Sequence, residues 1–506
     1  MAINQRKAGT ILSYVYLFLS NTISLLYTPI YLDMLGQSEY GLIATANSLT
    51  SYLSLLSMGI GGSYIRFNAQ DRASKDKERE YRTNGMFQSI YFAISAVTIV
   101  VGTVLVFFSS YIFKANYNSE QLTEIKLIMI CSILQFVVTF CFNTTAMALQ
   151  AYEKFLFIRI CLLVACAVQP CINIVALYMG GRAVAISVIS LIISTLTYTV
   201  YYIFAKVKIG LKFRFGNFDK SLLKSIFIFS GFLFLNSITD QLTFATDNLV
   251  LGVVSDSVIV AIYAVGSNFK NYFMSFSTSV SSVFAPQINK IVAESDSSQK
   301  LNEIFVRVGR VQFYIVSLVL TGYIFFGRQF IYLWVGDEYK DSYLIGLFLM
   351  LAVYVPCFQN IGLEIQKAKN LHKARSIVYF LIAIVNVAMT VPLSMLWEGK
   401  GAALATLICM FCGTVIFMNI YNHKKVGLDI FSFWKSIFRI LPGLILPVAV
   451  GLCINFFASI DSYLTLLCFI LLYCVVYFVS CWFTSMNRYE KDLFIKPIKK
   501  IFRRKK

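Results

Sequence analysis

Charge is scarce in this sequence of 506 residues, of which only 14% are Asp, Glu, Lys or Arg. An ordinary soluble protein carries about 25% charged residues. Hydrophobic residues make up 58% of the chain, and the mean hydropathy is +0.71. Because a water-facing surface cannot be built from so few charges, lipid must surround most of the chain. The composition therefore excludes soluble enzymes, disordered proteins and fibrous proteins.

Side chains that build common catalytic and metal sites are also few. The two histidines, His372 and His423, lie far apart in the sequence. Cys409 and Cys412 have the spacing of zinc ligands, but no second pair accompanies them. The sequence also lacks a GxxxxGK[ST] loop for binding nucleotide phosphates. We therefore expect a protein without a metal, a cofactor or an ATPase site of its own.

Long apolar runs take up most of the sequence. A run of about 20 apolar residues is long enough to cross a bilayer as a helix. The pattern predicts an all-α polytopic membrane protein with about fourteen transmembrane helices. The predicted spans are Thr10–Leu32, Gly41–Ile65, Phe87–Phe113, Leu127–Leu149, Leu156–Met179, Ala183–Ala205, Ser225–Leu251, Val258–Ala285, Val308–Val335, Tyr343–Gln366, Ser376–Leu396, Gly401–Tyr421, Ile440–Ala458 and Tyr463–Phe483.

Basic residues lie mostly on one side of these predicted spans. The net charge is +19. If the N-terminus is cytoplasmic, 37 of the 44 Lys and Arg residues fall in cytoplasmic loops, their flanks or the C-terminal tail, and six fall outside. The positive-inside rule therefore predicts that both termini are cytoplasmic. Because topology accounts for the basic excess, we expect no nucleic-acid partner.

Two short similarities repeat at nearly the same distance along the chain. Tyr40–Leu42 is similar to Tyr263–Val265 at an offset of 223, and Gly180–Ala183 is similar to Gly399–Ala402 at an offset of 219. The similar offsets predict two parallel, pseudo-symmetric lobes of six helices each, followed by two further helices. The predicted division is 1–205 for the N-lobe, 206–224 for a cytoplasmic linker, 225–425 for the C-lobe, 426–484 for helices 13 and 14, and 485–506 for a basic cytoplasmic tail.

Four motifs resemble those of one transporter family, in the same order along the chain. They are Pro29–Leu42, Asp247–Gly252 followed by Ala261–Tyr263, Phe330–Tyr339 and Gly399–Ala403. Each is a pattern of glycine, proline and aromatic residues at a turn. Together they resemble the polysaccharide repeat-unit flippases of the multidrug/oligosaccharidyl-lipid/polysaccharide exporter superfamily.

The resemblance implies a function in the bacterial plasma membrane. Members of the family move undecaprenyl-pyrophosphate-linked oligosaccharides from the inner to the outer leaflet by alternating access. Implied partners are the lipid-linked substrate, a proton or sodium gradient, and a polysaccharide polymerase or ligase. The alternative functions are multidrug or lipid II export, which sibling branches perform with the same fold, and polysaccharide polymerisation. The predicted external loops are short and lack convergent acids and bases, so we expect a transporter and not an enzyme.

Five basic residues are candidates for binding the pyrophosphate of such a substrate. Arginine offers a bidentate fork to phosphate and lysine a movable point charge. The alternative interpretation is that these residues follow the positive-inside rule and reach toward the membrane surface. The candidates are Arg66, Arg159, Lys270, Arg307 and Arg310.

Two carboxylates inside the predicted seventh span are candidates for ion coupling. Asp240 and Asp247 are seven residues apart, which places them on one helix face. Lys270 lies at a similar predicted depth in the next span, so an Asp240–Lys270 pair that only joins two helices is the alternative. Asn21, Asn236 and Gln241 are interpreted as helix–helix contacts or as partners for sugar hydroxyls.

The C-terminal tail combines apolar and basic residues. Nine Lys and Arg residues lie between Arg488 and Lys506. Apolar side chains separate them, which predicts an interfacial helix that binds anionic membrane lipids. The apolar positions are Leu493, Phe494, Ile498, Ile501 and Phe502.

Overall fold

The computed structural model describes residues 5–493 and 495, apart from residues 58, 217–222, 225, 227–229, 232–233, 235–236, 240, 244, 295–296 and 370. The described residues form helices and turns and contain no strand. The helices are α1 (Gln5–Leu35), α2 (Gln37–Thr50), α3 (Ile60–Ala73), α4 (Lys77–Phe113), α5 (Ser119–Ala151), α6 (Phe155–Tyr178), α7 (Ala183–Phe204), α8 (Thr246–Val254), α9 (Ser257–Glu294), α10 (Ser298–Val335), α11 (Ser342–Phe358), α12 (Asn360–Ala368), α13 (His372–Met410), α14 (Ile430–Phe438), α15 (Pro442–Phe457) and α16 (Tyr463–Thr484).

The helices confirm the predicted class of an all-α membrane protein. Eight segments of the described residues are long and apolar enough to cross a membrane. The number rises to ten if each of two bent helix pairs, α11 with α12 and α14 with α15, forms one span. The count of fourteen spans and their arrangement in two lobes stay predictions.

The apolar run Gly41–Ile65 is not one continuous helix. α2 ends at Thr50, Ser51–Ser57 form a 3₁₀ helix, and α3 begins at Ile60. Gly59 precedes α3 with φ 66°, a conformation that glycine adopts without steric cost. Hydropathy did not reveal the interruption because the apolar character continues through it.

α13 contains the predicted eleventh span and the first part of the twelfth, up to Met410. Its backbone leaves the helical conformation at Trp397 (φ −134°) and Glu398 (φ 50°), so two helices meet there. This break lies between Leu396 and Gly401, where the sequence pattern predicts one span to end and the next to begin. After Met410 the helical path continues through π-helical turns to Val426.

One compact unit comprises Met1–Ala264 and Tyr379–Ala402. In this first unit α4 packs on α5, α5 packs on α7, and α1 packs on α6. Tyr64, Phe87 and Tyr91 are fully buried in its core. Because lipid is as apolar as these side chains, close packing and dispersion contacts stabilise the unit in a membrane.

Small residues allow close backbone approaches in the first unit. A Cβ atom at Gly41 of α2 would overlap the backbone carbonyl of Ser257, where α9 begins. The Ser38 and Ser257 hydroxyls lie 3.0 Å apart at the same place. These contacts hold the beginning of α2 against the beginning of α9.

The predicted linker is attached to the first turns of α4. The backbone N–H of Arg214 donates to the Tyr81 carbonyl at 2.9 Å, and Asn84 Nδ2 donates to the Lys212 carbonyl at 3.2 Å. Gly85 leaves room for this segment, since a Cβ atom there would overlap the Arg214 carbonyl. The Arg214 side chain also pairs with Glu78.

The second compact unit comprises Val265–Val378 and Ala403–Lys506. α10 contacts α11, α15 and α16 in this unit. Its side chains Phe305 and Phe313 are buried, and the Phe305 ring stacks on Phe433 at 4.4 Å between centroids. Aromatic packing on α10 therefore organises the second unit.

Candidate functional site

A polar pocket lies within the first compact unit. It has a volume of about 220 Å³ and none of the side chains that line it is charged. α2, the 3₁₀ segment after it, and α5 supply these side chains. The lining residues are Asn47, Thr50, Ser51, Ser132, Gln135, Phe136 and Thr139.

Hydrogen bonds hold the lining side chains in place. Ser132 Oγ donates to Asn47 Oδ1 at 3.1 Å, which joins α5 to α2. Gln135 Nε2 donates to Ser194 Oγ on α7 at 2.8 Å. Gln241 Nε2 donates to Ser51 Oγ. The side chain of Gln241, which the sequence marked as a polar residue in a span, therefore contacts one wall of the pocket.

The pocket lies well inside the length of its helices. Asn47 is ten residues from the beginning of α2 and Ser132 is thirteen residues from the beginning of α5. At a rise of 1.5 Å per residue these positions are about 15 and 20 Å along their helices. Hydroxyl and amide groups donate and accept hydrogen bonds without bringing charge, so the pocket suits a neutral polyhydroxyl ligand.

Sequence reasoning did not identify this pocket, although a signal for it existed. Ser132, Gln135 and Thr139 follow the i, i+3, i+7 spacing of one helix face. That spacing places three polar side chains on one side of an otherwise apolar helix. Asn47 is 85 residues away from Ser132, and only the packing of α2 on α5 brings the two together.

A buried carboxylate lies in a second polar cluster of the first unit. Asp247 on α8 is 1% exposed. The Tyr263 hydroxyl donates to Asp247 Oδ2 at 2.5 Å, and Thr390 Oγ1 donates to Asp247 Oδ1 at 3.3 Å. Asn386 Oδ1 lies 3.5 Å from the Thr390 hydroxyl. Three helices, α8, α9 and α13, therefore meet at the predicted coupling residue Asp247.

The neighbour of this carboxylate links the two polar clusters. Thr246 Oγ1 and the Tyr52 hydroxyl lie 2.6 Å apart. Tyr52 follows Ser51, a lining residue of the pocket, in the 3₁₀ segment. The 3₁₀ segment thus contributes to the pocket through Ser51 and contacts α8 through Tyr52.

The other predicted coupling residue cannot be placed. Asp240 lies outside the described residues. Lys270 on α9 belongs to the second unit and is 5% exposed. The predicted Asp240–Lys270 pair therefore stays a prediction.

The candidate arginines have different surroundings. Arg66 on α3 is exposed, and its guanidinium lies 6.0 Å from the centre of the Phe67 ring. Arg159 on α6 is half-buried and lies 5.9 Å from the Tyr16 ring. Arg307 pairs with Glu303 one turn away on α10. These are surroundings in which an anionic ligand can reach a guanidinium.

Arg310 differs because its guanidinium is bound within the second unit. Its Nε donates to Glu490 Oε1 at 2.6 Å, and Nη2 donates to Glu490 Oε2 at 3.0 Å. Nη1 and Nη2 also donate to the carbonyls of Ser436 and Ser485, at 2.7 and 3.0 Å. The predicted phosphate contact at Arg310 would require these bonds to break, so the geometry favours a role in stability.

A network of buried acids occupies one end of the α3–α4 pair. Asp71 is 4% exposed and Glu80 is 7% exposed. Arg79 Nε lies 2.8 Å from Asp71 Oδ1, and the Tyr152 hydroxyl donates to Glu80 Oε1 at 2.5 Å. Burial and the hydrogen bond to the Glu80 carboxylate raise the pKa of Tyr152. The sequence analysis did not select these acids, which lie in a predominantly basic loop.

No group of three His, Cys, Asp or Glu side chains within the described ranges is arranged to hold a metal ion. The polar pocket and the buried Asp247 are therefore the main chemical features of the first unit.

Solved structures define the class of the protein. A lipid II flippase, MurJ, in an inward closed conformation superposes with a TM-score of 0.71 over 96% of this chain and 99% of its own, at 16% identity. An inward-facing multidrug resistance MATE transporter of the MOP superfamily superposes with a TM-score of 0.64 over 82% and 96%, at 13% identity. At these identities the likeness concerns the fold. The chain has the fold of the multidrug/oligosaccharidyl-lipid/polysaccharide exporters.

Sequence comparison defines the branch. The chain belongs to the family described as polysaccharide biosynthesis protein, whose model matches residues 33–344. It is also 22% identical to the uncharacterized membrane protein EpsK of Bacillus subtilis (strain 168), over 95% of this chain and 96% of that protein. The resemblance to polysaccharide flippases that the four motifs indicate is thereby confirmed.

Proposed function

We propose that this protein flips undecaprenyl-pyrophosphate-linked oligosaccharide repeat units to the outer leaflet of a bacterial plasma membrane, for synthesis of a surface polysaccharide. The match of residues 33–344 to a polysaccharide biosynthesis family carries the proposal. In this proposal the two six-helix lobes alternate access, both termini are cytoplasmic, and a polymerase or ligase takes the product. A proton or sodium gradient drives the cycle.

The uncharged pocket supports the part of the proposal that concerns the glycan. Sugar hydroxyls pair with side chains that donate and accept, and the amides of Asn47 and Gln135 do both. The hydroxyls of Ser132 and Thr139 add two further groups. A pocket without charge offers no counter-charge to an ionised sugar, so we assign it to the neutral part of the glycan.

The pyrophosphate needs cationic partners outside this pocket. We assign the first contact to the guanidinium of Arg66, which is exposed on α3. Arg159, Lys270 and Arg307 are further candidates, and Arg310 would have to give up its bonds to Glu490 in order to bind phosphate. In this scheme Asp247 and Asp240 carry the coupling ion.

Lipid II export is the second candidate function. The likeness to the lipid II flippase MurJ, which extends over 96% of this chain, favours it. Lipid II also combines a polyprenyl pyrophosphate with sugars, so the pocket alone does not distinguish the two substrates. A direct comparison of the flipping rates of the two substrates distinguishes the two functions.

Purified protein in liposomes should flip an undecaprenyl-pyrophosphate oligosaccharide at least about tenfold faster than lipid II or a cationic drug. Tenfold corresponds to about 1.4 kcal/mol of preference, which one or two hydrogen bonds supply. The measurement follows fluorescent lipids that become accessible to a membrane-impermeant quencher. Equal or faster transport of lipid II would assign the protein to the second function.

The same assay includes a variant of the pocket and its matched control. Gln135→Leu replaces an amide that lines the pocket and that bonds to Ser194. Gln169→Leu removes an equivalent bond to Ser190 at 2.9 Å on α7, away from the pocket. We expect only Gln135→Leu to slow the oligosaccharide lipid.

Arg66→Ala should reduce flipping of the oligosaccharide lipid more than Arg66→Lys. Hydrogen bonds to charged groups contribute about 1.5–3 kcal/mol, so the alanine variant should be slower by about 10- to 100-fold below saturation. Lysine keeps the charge but loses the bidentate fork. The readout is the initial flipping rate at matched protein levels, with Arg82→Ala as a control for an exposed arginine nearby in sequence. A normal flipping rate in Arg66→Ala would show that this arginine only determines membrane topology.

A further inference from the structure

α14 has two different faces. Ile430, Phe433 and Ile437 are buried against the second unit, where Phe433 stacks on Phe305. The opposite face is aromatic as well, yet it is exposed: Phe431 is 75% exposed and Phe438 is 58% exposed. The open face of α14 therefore needs a further partner. The residues on this face indicate the chemistry of that partner.

An open groove of about 490 Å³ lies along the exposed face. The residues that line it follow the i, i+3, i+4, i+7, i+8 spacing of one helix face. Trp434 and Phe438 lie with their ring centroids 5.7 Å apart. The lining residues are Phe431, Trp434, Lys435, Phe438 and Arg439.

The position of the groove indicates a membrane surface. α14 meets the apolar helix α15 at a bend of 47°, and the two together have the length and composition of a span. Tryptophan with lysine and arginine at the end of a membrane helix is typical of the lipid–water interface. The charge pattern of the sequence predicts that this end is cytoplasmic, and anionic lipids attract basic residues in that leaflet.

The lining chemistry selects among anionic ligands. Lys435 and Arg439 provide two cationic groups beside three aromatic rings. Trp434, Lys435 and Arg439 donate hydrogen bonds and none of the five lining side chains accepts one, so a phosphate, which only accepts, matches them better than sugar hydroxyls, which donate and accept. A phosphate with two acyl chains matches both the cations and the rings.

We propose that the groove formed by Phe431, Trp434, Lys435, Phe438 and Arg439 binds one anionic glycerophospholipid from the cytoplasmic leaflet. Its phosphate lies between the Lys435 ammonium and the Arg439 guanidinium, and its acyl chains lie against Phe431 and Phe438. This site is separate from the substrate contacts proposed above. It holds α14 at the membrane surface and thereby fixes the beginning of α15.

The test measures lipid binding to the purified full-length protein by native mass spectrometry, with phosphatidylglycerol and phosphatidylcholine of identical acyl chains. The wild-type protein should retain phosphatidylglycerol in preference. Lys435→Gln with Arg439→Gln should weaken the affinity of that site by about 30-fold, since each basic residue near an anionic surface contributes about five- to sixfold. Lys290→Gln with Lys300→Gln removes the same charge from exposed positions in the second unit and should leave the affinity unchanged.

Two further measurements separate a lipid from a simple anion site and from general charge. Inorganic phosphate at millimolar concentration should not displace the lipid, and Phe431→Ser with Phe438→Ser should weaken binding while both cations remain. The proposal would be overturned if both charge-removing double variants lost the same lipid affinity, or if phosphate displaced the lipid. Unchanged binding of phosphatidylglycerol in Lys435→Gln with Arg439→Gln would do the same.

Discussion

Asp247→Asn should leave the protein folded and abolish the response of flipping to an ion gradient. Asparagine has nearly the same size as aspartate; its carbonyl oxygen can accept from one of the two hydroxyls, those of Tyr263 and Thr390, and its amide group can donate to the other. It cannot exchange a proton or bind a cation through a negative charge. A loss of transport with retained stability would therefore identify the charge as the functional property.

The surroundings of Asp247 indicate how strongly the ion gradient should affect the flipping rate. Asp247 is 1% exposed, and ionisable groups inside membrane helices are costly unless they serve a function or have partners. The structure gives the carboxylate two hydroxyl donors, which hold it in place in either protonation state. A tenfold gradient of the coupling ion supplies about 1.4 kcal/mol, so it should accelerate wild-type flipping by up to about tenfold and the variant not at all.

The measurement compares flipping in liposomes with and without an imposed proton or sodium gradient. Asp256→Asn is the matched control, because Asp256 is an exposed carboxylate nine residues further on. Its Oδ1 accepts from the backbone N–H of Ile259 at 3.0 Å, and asparagine preserves that cap. A gradient response that survives in Asp247→Asn would remove this residue from the coupling mechanism.

Breaking the Arg310–Glu490 pair should lower the free energy of unfolding more than breaking an exposed ion pair. The side chains are 10% and 3% exposed, and the carboxylate also accepts from the backbone N–H of Asn487 at 2.8 Å. Removing one partner leaves a buried charge without compensation, which typically costs about 3–5 kcal/mol. Arg310→Met and Glu490→Leu should each show a loss of this size in the free energy of unfolding.

Together the two substitutions should restore most of that free energy, because no unpaired charge remains. Unfolding in mixed micelles measures all four members of the double-mutant cycle. The exposed pair Lys290–Glu294, at 3.6 Å, is the control, and an exposed i,i+4 pair contributes at most a few tenths of a kcal/mol. If Arg310→Met keeps full stability yet loses transport, the substrate-binding role predicted from the sequence stands and the stabilising role fails.

The membrane class and the family could be predicted because both depend on features that are local in the sequence. The preference of an apolar run for lipid depends on the residues of that run alone. In the same way, the side of the membrane on which a loop lies depends on the basic residues of that loop. The four glycine, proline and aromatic motifs are short segments as well, and the family match over residues 33–344 confirmed the resemblance that they indicate. Helix interruptions were harder, since Gly59 lies within continuous apolar sequence.

The chemistry of the candidate site was predictable only in part. Asp247 was selected because a carboxylate in an apolar run is conspicuous. Its partner Thr390 is 143 residues away, and a threonine within an apolar helix attracts no attention. Arg310 was selected for its charge, while Glu490, 180 residues further on, decides what that charge does.

The sequence by itself determined that lipid is the solvent of this chain and which exporter family it belongs to. The tertiary structure decided which polar groups meet: Asn47 with Ser132 at the pocket, Thr390 with Asp247, and Arg310 with Glu490. The physical reason is the range of the forces involved. Transfer into lipid is a property of each segment, whereas a hydrogen bond forms only within about 3 Å, and helix packing alone brings residues this distant in sequence so close together.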